Sequence, residues 1–145
     1  MLPKVITKSQ FANFVQALTQ DYAVFGPQLK ERTKAGQDKF VFGRVTDPAT
    51  LRMDYNTTLL SPKKYFLPQR ETLLKFTSRR TQKAEPVLDH TQKVIVGAHP
   101  CDIYATWLLD VVFSSDNQDP NYLSRRERAL IIGLDCNRPC DEYSF

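Results

Sequence analysis

Lys93-Val94-Ile95-Val96-Gly97-Ala98-His99-Pro100-Cys101-Asp102 is the stretch that decides the fold. Its first six residues form a short, β-branched, nearly all-apolar run, which suits a strand covered on both faces. His99-Pro100-Cys101-Asp102 then reads as a tight loop. Ile103, Tyr104, Trp107, Leu108, Val111 and Val112 follow as a wide apolar stripe at helical spacing. Residues 114–120 are a polar connection, and residues 122–128 read as a short helix with exposed charges. Ala129-Leu130-Ile131-Ile132-Gly133-Leu134 is a second strand of the same buried kind, trailed by Asp135-Cys136-Asn137-Arg138-Pro139-Cys140.

Strand, helix and strand in this order predict a βαβ unit with parallel strands. Both strands then end at one edge of the sheet. Cys101 lies just past the first strand, and Cys136 and Cys140 lie just past the second. Their thiols are expected at the edge where open α/β sheets place ligands. Cys101 also falls at the first turn of the following helix. The unpaired N–H groups and the dipole there favour an anion, hence thiolate over thiol.

Outward from this unit the chain is less regular. Phe11, Phe14, Val15 and Leu18 predict an N-terminal helix capped by Thr7 or Ser9. Residues 22–25 read as a short strand stopped by Gly26-Pro27, residues 30–38 as a polar loop, and residues 39–45 as an alternating strand. Asp47-Pro48 turns the chain, and residues 51–60 have no clear period. Ser61-Pro62-Lys63-Lys64-Tyr65-Phe66-Leu67-Pro68 reads as a capped helical turn, with Pro62 in its first position. Residues 71–77 are a strand candidate, and residues 78–91 an exposed linker. The expected class is α/β: a small mixed sheet with a C-terminal parallel βαβ unit, in one domain over residues 1–145.

The 145 residues are 41% hydrophobic and 25% charged, ordinary for a globular domain. No apolar run approaches the ~18 residues of a membrane span. The N-terminus shows no secretory leader, so a cytoplasmic location is expected. The formal net charge of +4 is scattered, with pairs only at Lys63-Lys64, Arg79-Arg80 and Arg125-Arg126. No basic face interleaved with aromatics points to nucleic acid. Three cysteines in a cytosolic chain are better read as metal ligands, reactive thiols or buried fillers than as disulfides.

Four thiolates are the usual ligand set of a [4Fe–4S] cluster. With three present, His99, Asp102 and Asp135 are candidates for the fourth position, beside an exchangeable site or a ligand beyond Phe145. The same cysteines with His99 form a Cys3His set suited to structural zinc. A zinc-stabilised interaction module is therefore the alternative. A third possibility is an enzyme with Cys101 as nucleophile, although no base-paired arrangement is legible. No dinucleotide or phosphate-loop fingerprint appears.

Several segments together resemble one family. They are 94–102, Asp119-Pro120-Asn121-Tyr122, Arg125-Arg126-Glu127, 130–136, and Ser61 through Leu73. The pattern is similar to the iron–sulfur beta subunits of cytoplasmic sulfhydrogenases and their counterpart in anaerobic sulfite reductase, which are 4Fe–4S dicluster-domain proteins. The resemblance covers residues 61–145 well and the first sixty loosely. It implies an electron-transfer subunit rather than a catalyst. Such a protein works between a flavin-bearing partner that oxidises NAD(P)H and a catalytic partner. The resemblance implies Cys101, Cys136 and Cys140 as cluster ligands, with Lys63, Lys64 and Arg70 as a basic motif able to offset the cluster's charge. Two departures stand out. His99 occupies a place where arginine is expected. The family's C-terminal ferredoxin-like domain with two further clusters is absent, as expected of a shortened chain.

Overall fold

The computed structural model describes residues 4–76, 84–136 and 140. The expected basic pair Arg79-Arg80 and the Asn137-Arg138-Pro139 part of the second cysteine loop lie outside them. The elements are α1 (Lys8–Asp21), β1 (Ala23–Arg32), β2 (Asp38–Arg44), β3 (Leu74–Phe76), β4 (Ala84–Pro86), β5 (Lys93–Ala98), α2 (Pro100–Phe113), α3 (Pro120–Arg126) and β6 (Ala129–Gly133). Single 3-10 turns span Pro48–Thr50 and Pro62–Tyr65. Among the described residues no helix is long and apolar enough to cross a membrane.

The main sheet has the order β2-β1-β5-β6. β1 runs antiparallel to β2 and parallel to β5, and β5 runs parallel to β6. The predicted βαβ unit is therefore present, with its strands as immediate neighbours. Every residue of β5 is buried. Ile95 joins Phe42, Tyr55, Phe66 and Tyr122 on one side of the sheet, while Val94 and Val96 join Val15, Val24 and Val45 on the other. This alternation is the period-two rule acting on a strand with two covered faces, which explains the unbroken apolar run.

Four expectations change. β1 does not stop at Gly26-Pro27 but continues to Arg32, so the predicted loop at 30–38 is half strand. β5 pairs with β1 only as far as Phe25. Past the end of the β5 ladder the short Leu51–Arg52 segment lies on that side, with Arg52 N donating to Pro27 O at 2.9 Å, so the missing N–H of Pro27 breaks no bond to β5. The helix after β5 begins at Pro100, so Cys101 and Asp102 are helical. The predicted stripe on that helix also divides. Ile103 packs inward with Leu109 and Phe113, whereas Tyr104, Trp107, Leu108, Val111 and Val112 are exposed. The helix is apolar nearly all round, so its period could not choose the inward face. Part of the predicted linker also pairs, as β4 joins β3 in a separate hairpin.

Charged joints lock the connections in place. Arg125 is 4% exposed. Its Nε donates to Phe66 O at 2.9 Å, and its Nη1 and Nη2 reach Glu71 Oε2 at 2.6 and 2.8 Å. Asp119 caps α3 by accepting from the N–H groups of Asn121 and Tyr122. The buried Tyr122 hydroxyl donates to Asp110 at 2.6 Å, and Arg126 holds the same carboxylate at 3.0 Å. At the start of β5, buried Lys93 donates to Asp89 at 2.6 Å. Burial alone would raise the Asp89 pKa, but hydrogen bonds from Lys93 and Thr91 outweigh it and hold the carboxyl well below its usual range.

Glu71→Ala leaves the Arg125 guanidinium buried without its carboxylate and is expected to cost about 3 kcal/mol in urea unfolding. The Asp89 pair contributes stability above the unfolded carboxylate pKa of about 3.9, and this is lost as pH falls through the lower folded value. Asp89→Asn is therefore expected to flatten the acid limb of the stability–pH curve, measured by thermal melts below pH 5.

Candidate metal centre

Parallel pairing carries the ends of β5 and β6 out of the sheet side by side. The pairing runs one step beyond β6, with Leu134 N donating to Ala98 O at 2.8 Å. Just before that point β5 is irregular. Gly97 has φ of +80° and is passed over in the pairing with β6. A bulge with a left-handed glycine re-aims a strand end, and such bulges often adjoin functional sites.

His99 follows as the cap residue of α2, with Pro100 in the first turn. Its backbone carbonyl accepts from Ile103 N at 3.0 Å, but its side chain makes no capping bond. Cys101 is exposed at the start of the helix. Asp102 is half-buried and accepts from the Ser61 hydroxyl at 2.6 Å. That bond ties the Ser61-Pro62 turn to the first turn of α2. Cys136 is exposed on the second loop. Cys140 donates from Sγ to Asn56 O at 3.3 Å.

Two adjoining cavities open at this rim. One, of about 360 Å³, is bordered by Cys136, Cys140 and Asp135. The other, of about 180 Å³, is bordered by Cys101, Asp102 and Cys140. Tyr55, Asn56, His99 and Cys140 belong to both walls. All three cysteines therefore sit at one end of the sheet, around a divided hollow.

Tyr55 is one of the residues shared by the two walls. Its ring stacks on the His99 imidazole with centroids 4.2 Å apart and planes 6° from parallel. Its hydroxyl donates to Gly97 O at 2.7 Å. Burial pushes the Tyr55 hydroxyl pKa up, and the charges of Asp102, Cys101 and Cys136 push it further. Burial lowers the His99 pKa, and Asp102 only partly offsets this, so the neutral imidazole is favoured.

The donors do not form a tight set. Among the described residues, no three His, Cys, Asp or Glu side chains are grouped to hold a single metal ion. A tetrahedral Cys3His zinc site needs all four donors within about 2.3 Å of one point.

The basic motif lies elsewhere. Lys64 Nζ donates to Phe42 O at 2.6 Å and sits 5.1 Å from the Tyr65 ring centroid. It borders a separate cavity of about 400 Å³ together with Lys93 and Arg125. Lys93 opens β5 whereas Cys101 follows its end, so that cavity is at the other end of the strand. Burial lowers the Lys64 pKa. The Lys63 backbone N–H is capped by Ser61, and Arg70 is exposed. Neither borders a cysteine cavity. Tyr55 and Asn56, which no sequence signal singled out, do border both. Their segment has no period, and the only hint was a tyrosine whose hydroxyl must find an acceptor once buried.

No protein-family model matches the sequence, and no solved structure matches it. Sulfhydrogenase 2 subunit beta of Pyrococcus furiosus is 32% identical over 135 residues, covering 93% of this chain. The chain is similar to a sulfhydrogenase beta subunit. This agrees with the resemblance carried by the motifs at 61–73 and 94–136. The chain spans 37% of that relative's length.

Tyr55→Phe keeps the ring and removes the donor to Gly97 O. Leaving that buried carbonyl unpaired is expected to cost about 1–2 kcal/mol, read from urea unfolding of metal-free protein.

Proposed function

We propose that this chain is the cluster-bearing region of an electron-transfer subunit in a hydrogenase- or sulfur-reductase-type complex, with Cys101, Cys136 and Cys140 as ligands to a [4Fe–4S] cluster. The observation that carries the reading is the delivery of all three thiols to one rim by two adjacent parallel strands. Similarity to a sulfhydrogenase beta subunit supports it from a separate direction.

The cluster would supply a one-electron store, and the protein's own residues do the rest. Cys101 stands exposed in the first turn of α2, where a ligand can reach its sulfur. Asp102, fixed by Ser61, and His99, fixed by Tyr55, stand beside it as candidates for the fourth ligand, with Asp135 on the facing loop. A neutral imidazole can ligate, whereas a protonated one cannot. Lys64 serves the fold by bonding Phe42 O, and its charge acts on the rim only at a distance. Buried Tyr55 and the half-buried loop residues keep part of the hollow from water, which, with hydrogen bonds and net charge, tunes a cluster's potential.

The partners in this reading are the other subunits of such a complex, one binding flavin and NAD(P)H and one catalytic. The outward face of α2, with Tyr104, Trp107 and Val111, begins at Cys101 and offers an apolar seat next to the rim for one of them. Nothing in this role requires a catalytic group on the chain.

Anaerobic reconstitution with iron and sulfide is expected to give brown protein holding about four irons and four sulfides per chain. Cys101→Ser and Cys136→Ser are each expected to lower that content severalfold. Colourless protein that binds one zinc per chain would replace this reading with the zinc-stabilised module.

A further inference from the structure

Residues 53–56 lie across the end of β5 and touch the backbone that launches the first cysteine loop. Gly97 makes this approach possible. A Cβ there would come within 3.0 Å of Met53 Cε, and its φ of +80° is one that side-chain-bearing residues rarely adopt. The bulge leaves Gly97 O outside the β5–β6 pairing, where the Tyr55 hydroxyl takes it.

We propose that Tyr55 is the positioning residue of the iron–sulfur site, acting on the Cys101 loop through Gly97 O and on His99 through the stacked ring. This rests on the cluster reading given above. The two contacts restrain different motions. The hydrogen bond sets where β5 ends and hence where α2 and Cys101 begin. The parallel stack, at 4.2 Å and 6°, keeps the imidazole in the wall shared by both cavities. The next residue extends the effect to the second loop, because Asn56 O accepts from Cys140 Sγ. One dipeptide from an irregular segment thus touches the loops of both strands. Tyr55 is 4% exposed, so its ring has little room to move. A group that orients ligands without binding the metal commonly changes metal affinity 10- to 100-fold when removed.

Two substitutions separate the hydroxyl from the ring. Tyr55→Phe removes the bond to Gly97 O and keeps the stack, whereas Tyr55→Leu removes both. Each full-length variant is reconstituted anaerobically beside the wild type. Iron release to a chelator, the spectrum of the reduced cluster by electron paramagnetic resonance, and the midpoint potential are then compared. Tyr55→Phe is expected to release iron roughly tenfold faster than wild type with an altered spectrum, and Tyr55→Leu faster still. A lower unfolding midpoint with wild-type spectrum, potential and iron release would mean a merely structural tyrosine and would overturn the proposal. If Tyr55→Leu does not fold, Tyr55→Phe decides alone. Wild-type chain that takes up no iron would instead sink the cluster reading. The alkylation rate of Cys101 in metal-free protein then decides the positioning: a rate unchanged by Tyr55→Phe overturns it, and a changed rate upholds it.

Discussion

β5 is covered on both faces and paired on both edges, and the rest of the molecule is arranged around meeting that condition. A strand so enclosed cannot leave any backbone polar group to water, so each must find a partner within the protein. β1 and β6 supply the ladders, and the core clusters on either side supply apolar contact. Because β6 is parallel to β5, the chain must cross over between them, which is the work of α2 and α3. The same parallel direction brings the two trailing loops to one rim. Gly97 is where β5 breaks this regular scheme. Its carbonyl, passed over by β6, is satisfied from outside the sheet by Tyr55.

A second level of order comes from buried charges. Arg125, Lys93 and the Tyr122–Asp110–Arg126 group are set inside or against the core, where an unpaired charge is far more costly than in water. Each is matched by a carboxylate or carbonyl, local for Lys93 and from a distant segment for Arg125 and the Asp110 group. The segments that carry the resemblance to sulfhydrogenase beta subunits, 61–73, 94–102 and 119–127, supply residues to several of these contacts. Ser61 meets Asp102, and Glu71 and Phe66 meet Arg125. Of these contacts Ser61–Asp102 ties the 61–73 segment to the cysteine rim, while those of Arg125 brace the opposite end of β5.

The rim itself combines rigidity with openness. Cys101 and Cys136 face solvent, while His99 and Tyr55 behind them are almost wholly buried. Reactive or metal-binding thiols need access, and the start of α2 leaves Cys101 open to solvent. The stacked pair behind them gives a hard wall against which such thiols can be set.

The β-branched runs at 93–98 and 129–134, with a helical pattern between them, were enough to determine the βαβ unit and the shared edge of Cys101 and Cys136. Strong period and composition make such elements legible, since a strand buried on both faces tolerates only apolar residues. The cap at Ser61-Pro62 was equally legible, because it depends on local backbone chemistry. The passage of β1 through Gly26-Pro27, the inward face of α2 and the roles of Tyr55 and Asn56 were decided by tertiary structure. In each of these the deciding contact comes from a residue distant in sequence: the register with β2, the core beneath α2, the Gly97 carbonyl. An irregular segment such as 51–60 has no period to read, and its place is set only when a folded partner offers a buried acceptor that it alone can reach.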